Sequence, residues 1–454
     1  MAVVNPYESP LPVTEAGSKA VQPQLTPGPQ SPLFADPSFY GMTATQFLGA
    51  FNDNLFKQLM LLLAIPVGAA AATKADEQGF ATMVFSLPFI LFSGYAGYLS
   101  DRFSKRTVIV LAKLAEIGIM LLGVAAFLSY DLAGYRGLLV VLFLMGTHSA
   151  FFGPGKYGIL PELFRKADLP LANGIILLTT FLAIIFGTAS AGVLRWLVDD
   201  ADGNSDPQHL WVGSAFCIGI AVLGTCASLL VRKTPAADPR LQFRLSALAI
   251  PRETRGLLAV DRPLFWALFA SCIFWLISGI TLQAVNSLGQ AQLQLRDPWP
   301  SILTATIGLG IAVGAVLAGW MCRGKPDFRI VTAGAWGIVI CMGVLSISLP
   351  SAAGPPVHLL GFWGSLPLLI LAGISAGMFA IPVQVFIQTR PPENQKGQMI
   401  ATMNLTNFIA IFLSGVLYKL FDVIVESLHW PRSPIFAFTA LLLLPVAILY
   451  RPRE

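Results

Sequence analysis

From Tyr40 onward the chain alternates long apolar runs with short polar breaks. The runs fall at 40–66, 79–100, 107–129, 137–160, 171–198, 210–231, 263–290, 300–322, 330–350, 360–388, 397–420 and 433–450. Each is close to the roughly 20 residues that carry a helix across a hydrocarbon core about 30 Å thick. Strands of a membrane barrel would instead alternate apolar and polar positions over segments of about 10 residues. The pattern therefore predicts an all-α membrane protein with twelve transmembrane helices.

The longest polar break, Val231–Asp261, divides the runs into six and six. The halves repeat one another weakly. Asn173–Leu194 aligns with Lys396–Leu417 at an offset of 223, with six of 22 positions identical. Gly97-Tyr-Leu-Ser-Asp-Arg falls against Gly319-Trp-Met-Cys-Arg-Gly at an offset of 222. Two matches at nearly one offset around a central loop predict two pseudo-symmetric six-helix bundles. The expected division is a disordered tail at 1–38, which holds eight prolines and no apolar signal-peptide core, a first bundle at 39–231, a central loop at 232–261, a second bundle at 262–450 and a short tail at 451–454.

Composition sharpens this. Charged residues make up 12% and hydrophobic residues 55%, with a mean hydropathy of +0.70. Soluble domains carry about 25% charged residues. With the N-terminus inside, the inner loops and tails hold 20 Lys and Arg, the outer loops and outer span ends six, and the span interiors three. That bias places both termini in the cytoplasm. The net charge of +5 is then loop charge facing an anionic leaflet, with no nucleic acid implied. The five cysteines lie in or beside apolar runs without metal-type spacing, and read as small core residues. No metal and no cofactor are expected.

Gly97-Tyr-Leu-Ser-Asp101-Arg102-Phe-Ser-Lys105-Arg106 resembles the loop signature of the major facilitator superfamily. Gly97 would let helices approach closely, and Asp101 could pair with basic neighbours or a helix N-terminus. The resemblance implies a cytoplasmic gate, with Arg102, Lys105 and Arg106 as its basic residues. Ser104 stands where the signature has a second Gly, and Arg323 stands at the position matching Asp101 in the second half.

The intramembrane charges are few: Asp53, Lys57, Lys113, Glu116, Lys156 and Glu162, all in the first half. The second half offers neutral groups at such depth, among them Gln283, Asn286, Gln384, Asn404 and Asn407. A charge at the bilayer centre costs about 2.5–3.5 kcal/mol on insertion scales, so it needs a partner or a polar cavity. Asp53 lies roughly 20 Å along its helix from Tyr40, too deep to reach water, and Lys57 follows at i+4. Lys113 and Glu116 stand at i, i+3. Two readings fit: structural ion pairs that stitch the bundle, or the lining of a cavity that binds a charged headgroup or coupling ion. Gly153-Pro-Gly155 is expected to break its helix and aim Lys156 either at headgroups or at an anionic substrate. Glu162 reads as a gate residue or a solvated loop end.

Gln46-Phe-Leu-Gly-Ala-Phe-Asn-Asp-Asn54, Pro154-Gly-Lys-Tyr157-Gly-Ile-Leu160 and Ala172-Asn-Gly174 together resemble the bacterial lysophospholipid transporter family, especially the transporter module of acyltransferase and acyl-carrier-protein synthetase fusions. The resemblance spans most of 40–450. It implies a secondary transporter that carries lysophosphatidylethanolamine and lysophosphatidylglycerol, or another small amphiphile, across the inner membrane as a monomer. A separate acyltransferase is the implied functional partner. Asp53 and Lys156 fall on the family's polar positions, and Asn54 and Tyr157 join Asp53, Lys57, Lys113, Glu116 and Lys156 as the expected binding set. The alternatives are an ion-coupled exporter of another small molecule and a non-transporting membrane partner of an acyltransferase. Enzyme readings are poor: no His starts an H-x-x-x-x-D motif, and neither GPGKYG nor RGKP continues into a P-loop.

Overall fold

The computed structural model describes residues 32–66, 75–199, 206–243, 250–322, 327–351, 356–392 and 395–450, without the side chains of Tyr157 and Pro170. The expected tails at 1–31 and 451–454 and the position of Arg323 lie outside these residues.

Twelve long helices account for the apolar runs among the described residues. The first half holds α1 (Pro37–Leu63), α2 (Gln78–Arg102), α3 (Lys105–Leu128), α4 (Tyr130–Gly158), α6 (Leu169–Val198) and α7 (Trp211–Leu229), with a one-turn α5 (Leu160–Leu163) after α4. The second half holds α9 (Arg262–Ser287), α10 (Trp299–Cys322), α11 (Phe328–Leu345), α12 (Gly361–Thr389), α13 (Lys396–Ser427) and α14 (Pro434–Leu449). Ten of them are apolar enough over 18 residues to cross a membrane by that measure alone. The exceptions are α14, which is 16 residues long, and α1, which carries the polar stretch at 50–58.

Local chemistry sets several ends on the side where the termini lie. Asp36 accepts from the Ser38 amide to cap α1, Asp261 from Leu264 to cap α9, and Asp327 from Arg329 to cap α11. Proline in the first turn of α1 and α9 occupies a position whose N–H has no helical partner.

Each half has its own apolar core. The halves meet along two seams, α2 against α13 and α6 against α10. Each seam joins the second helix of one half to the fifth helix of the other, so the two repeated segments lie at the pseudo-symmetric interface. Large apolar side chains such as Leu121, Val316, Trp320 and Leu441 stand exposed on the outer surface, as a lipid-facing belt requires.

Four expectations are corrected. Residues 32–38 are not tail: Leu33 is buried, and Asp36 pairs with Arg232 at 2.7 Å beside the end of α7. The central segment at 232–261 is not all loop, because α8 (Arg252–Val260) forms within it. Gly153-Pro-Gly155 does not break its helix: α4 runs through Pro154 to Gly158. The glycines serve close packing instead, since a Cβ at Gly155 would sit 3.2 Å from Ile109 and one at Gly158 2.9 Å from a Lys105 carbon. The interruption in α4 lies at Gly134, whose φ of 58° suits glycine. Finally, α13 continues past 420 to Ser427, carrying Lys419 and Asp422 within the helix.

The seam between α10 and α12 is glycine-lined, as expected for packing inside one bundle. A Cβ at Gly314 would lie 2.1 Å from the Ile374 carbonyl oxygen, and one at Gly373 would lie 2.3 Å from that of Ile307. Gly319, on the same helix as Gly314, meets nothing within 4 Å. Gly314→Val should therefore destabilise the detergent-solubilised protein by about 1–3 kcal/mol, read as an earlier thermal unfolding midpoint, whereas Gly319→Val should leave it unchanged.

Candidate functional site

The polar stretch of α1 sends its side chains in four directions. Asn52 is buried and donates through Nδ2 to Glu116 Oε1 of α3 at 2.6 Å. Asp53 faces α4, where Ser149 Oγ donates to its Oδ2 at 2.6 Å and His148 Nε2 lies 3.6 Å from its Oδ1. Lys57 donates to Asn54 Oδ1 at 3.1 Å and rests over the Phe85 ring of α2. Gln58 crosses to the second half and donates to Asn286 Oδ1 of α9 at 2.8 Å. Because α2, α4, α6 and α7 surround α1, and α9 touches it, these groups face the protein interior and not lipid.

Lys113 and Glu116 form an ion pair at 2.5 Å with both side chains fully enclosed in the first bundle. Of the two readings open for them, the geometry is that of the stitching pair. Lys113 Nζ fits against the bare backbone of Gly49, where a Cβ would come within 2.5 Å of it, and lies over the Phe152 ring. The pair holds α3 against α1, and Asn52 completes the satisfaction of Glu116. Lys156 sits half-buried in the last turn of α4, and the side chain of Tyr157 is outside the described residues. The structure thus brings Asp53, Asn54 and Lys57 together on α1 and places Lys113 and Glu116 just behind them.

The gate motif sits where α2 ends. Arg102 donates to Tyr98 Oη, and Lys105 pairs with Glu162. Arg106 donates to the Val231 carbonyl at 2.6 Å and the Leu229 carbonyl at 3.1 Å, capping the end of α7. All three basic side chains bond within the first half. Gly97 and Asp101 line a cavity of about 1180 Å³ between α2, α13 and the central segment, open on the side where the termini lie. None of the α1 polar residues lines it. Its inner wall reaches Ser93 on α2 and Leu405 on α13, about one turn short of a stacked pair, Phe89 on Phe408, with centroids 3.7 Å apart. This pair joins the two halves just beyond the inner wall of the cavity.

On the opposite side the halves are bonded together. Asp76 Oδ2 accepts from Tyr418 Oη at 2.7 Å, and Lys419 donates to the Asp76 carbonyl at 2.8 Å. Asn286 Nδ2 donates to Gln78 Oε1 at 3.1 Å. On the other seam Arg195 pairs with Asp297 at 2.9 Å. Behind the first group Asp422, fully buried, pairs with Lys419 at 3.3 Å and with Arg432. The second half therefore holds a buried charge cluster where only neutral groups were expected, because α13 extends beyond its apolar stretch. His148 was also missed. Its signal was a lone imidazole between Thr147 and Ser149 in the run at 137–160.

A sequence profile described as Major Facilitator Superfamily matches residues 42–415. The "Lysophospholipid transporter LplT" of Enterobacter sp. (strain 638) is 31% identical over 389 residues, covering 84% of this chain and 87% of that protein. The LplT of Salmonella agona (strain SL483) is 31% identical over 390 residues, covering 83% and 86%. Among solved structures, the nucleoside transporter NupG superposes with a TM-score of 0.65 over 92% of this chain and 99% of its own, at 11% identity. That likeness is one of fold.

Removing one member of an enclosed pair leaves an uncompensated charge, at a cost of about 3–5 kcal/mol. Lys113→Met should therefore lower the thermal midpoint strongly. Lys113→Met combined with Glu116→Gln should recover most of the loss, since Asn52 keeps its acceptor.

Proposed function

Because this chain belongs to the major facilitator superfamily and, within it, to the lysophospholipid transporter family, we propose that it moves lysophospholipids, chiefly lysophosphatidylethanolamine and lysophosphatidylglycerol, across a bacterial inner membrane by alternating access. The observation that carries the substrate class is the 31% identity to LplT proteins over 84% of this chain. The positive-charge bias supports placing both termini in the cytoplasm. In that orientation the cavity between α2 and α13 opens inward and the bonded ends form the outer seal. A separate acyltransferase would consume the delivered lipid, and one bundle of this size serves as the transporting unit.

The binding residues we propose are Asp53, Asn54 and Lys57, with Lys156 nearer the inner leaflet. A lysophospholipid carries a phosphate, which a lysine ammonium satisfies, and in the ethanolamine case an ammonium, which Asp53 satisfies. Among the described residues Lys57 has one side-chain hydrogen bond, to Asn54, which leaves protons for phosphate oxygens. Lys113 and Glu116 act behind them by fixing α1 against α3.

Reconstituted into proteoliposomes, the protein should move lysophosphatidylethanolamine between leaflets, and Asp53→Asn should cut the initial rate at least tenfold. Absence of movement by folded, inserted wild-type protein would overturn the reading.

The outer seal gives a pH dependence with a definite sign. Burial pushes the Asp297 carboxyl up to about 6, against the opposing pull of Arg195 and with a further push from Asp199. Burial also raises Asp76, against the hydrogen bonds it accepts. Once the outer side opens and these groups meet water, they return toward about 3.9. The sealed state thus binds more protons between those limits, and is favoured as pH falls through about 6 and disfavoured as pH rises through it. Spin labels across the α6–α10 seam should report a larger sealed fraction at pH 5 than at pH 7, and Asp297→Asn should weaken that response, leaving the part carried by Asp76.

A further inference from the structure

The two described parts of the central segment, 232–243 and 250–261, pack on opposite halves at the cavity mouth. On one side the Asp238 amide donates to the Asp101 carbonyl at 2.9 Å, and Phe243 packs edge-on to Tyr95 and Tyr98 with centroids 5.2 and 5.3 Å away. On the other side Leu257 and Leu258 of α8 pack on the second-half core, Thr254 Oγ1 donates to Gln398 Oε1 at 3.3 Å, and Asp261 pairs with Arg390 at 2.9 Å. Three arginines of this segment, Arg240, Arg252 and Arg255, line the cavity. Their guanidinium groups form no ion pair among the described residues, whereas the neighbouring Arg102, Arg106, Arg232 and Arg390 are all engaged. Among the described residues the other charged lining groups are Asp101 and Asp238, and one Asp238 oxygen is taken by the Arg240 amide at 3.0 Å.

A pocket with three unengaged guanidinium groups suits a phosphate, which arginine binds through paired N–H donors. The same cavity is walled by Leu241, Ile250 and Leu405, and opens around Gly97, where an added Cβ would meet nothing within 4 Å. Cationic donors beside apolar walls fit an amphiphile better than a free ion. This place is separate from Asp53, because no polar residue of α1 lines the cavity, whose inner wall ends at Ser93 and Leu405.

We infer that Arg240, Arg252 and Arg255 form a second, outlying station for the phosphate-bearing headgroup of a single-chain lipid, at the mouth of the cavity and distinct from the α1 polar cluster. The inference rests on the reading of the protein as a lysophospholipid transporter. The segment would hold the headgroup between the deep site and the leaflet, while the chain lies against the apolar wall.

The test uses the full chain in phosphatidylcholine nanodiscs and measures equilibrium binding of lysophosphatidylglycerol and of its phosphate-free counterpart, monoacylglycerol. The combined variant Arg240→Gln, Arg252→Gln, Arg255→Gln should weaken lysophosphatidylglycerol binding at least tenfold and leave monoacylglycerol unchanged. The corresponding triple Lys variant keeps the charge and should stay within about threefold of wild type, and an unchanged thermal midpoint in both variants would exclude misfolding. Equal lysophosphatidylglycerol affinity in wild type and the Gln variant overturns the station. Displacement by inorganic phosphate at the lysolipid's own concentration would assign the site to a free anion. Displacement by diacyl phosphatidylglycerol built into the disc would assign it to the surrounding bilayer. Either overturns the inference. Lipid movement is followed in parallel: a wild type that moves lysolipid while the Gln variant binds it normally defeats the station alone, and a wild type that neither binds nor moves it defeats both readings.

Discussion

Hydrocarbon offers an ionised side chain no partner, and that constraint organises this molecule. Asp53, Lys57, Lys113, Glu116 and Asp422 lie within helices that cross the apolar layer, and each meets a polar or aromatic group from its own half. To satisfy them, α1 must be enclosed by other helices on nearly every side. It could not stand at the rim of the bundle, where its 50–58 stretch would face lipid. The apolar helices do the opposite and turn leucine, valine and tryptophan outward. The position of α1 at the centre of the first half thus follows from five polar residues in a row of nine.

Much of the fold was legible because crossing a membrane forces length and composition on a segment. Twelve apolar runs become twelve long helices, and the repeat at an offset near 223 marks the helices that meet at the interface. The failures have physical causes. Apolar length finds where hydrocarbon ends, not where hydrogen bonding ends, so α13 was cut short and Asp422 was read as loop. Proline between two glycines reads as a break, but glycine without a side chain also lets α3 approach α4, and packing won. Arg195 was counted for topology as an outer charge, and Asp297 falls in a polar break. Their pairing joins residues far apart in sequence, and no local pattern records it.

Within the candidate site, the same distinction decides what could be read. The α1 residues announced themselves, because polar groups in an apolar run need a reason. Whether Lys113 and Glu116 faced a cavity or each other depended on which face of α3 meets α1, which spacing on one helix leaves open. His148 carries no motif and became visible only beside Asp53 at 3.6 Å. The unengaged arginines of the central segment were counted as topological charge, and only their place around the cavity sets them apart from the others.

The seal on the side away from the termini is built mainly from amide, hydroxyl and carboxylate contacts, with an ion pair on one seam and a charge cluster on the other. Such bonds exchange for water when the seal opens, so each contributes only about 0.5–1.5 kcal/mol net. An apolar seal of similar area would lose its stabilisation outright on hydration, at about 25 cal/mol per Å². A protein that must present a cavity first to one side and then to the other needs its closed ends to be specific in register yet inexpensive to part. Directional bonds between Asp76 and Tyr418, Gln78 and Asn286, and Arg195 and Asp297 meet both demands. The charges left inside the first half do not part in this exchange, since Lys113 and Glu116 stay bonded within one bundle. Rigid halves with exchangeable polar contacts between them are what movement about a central polar cluster requires.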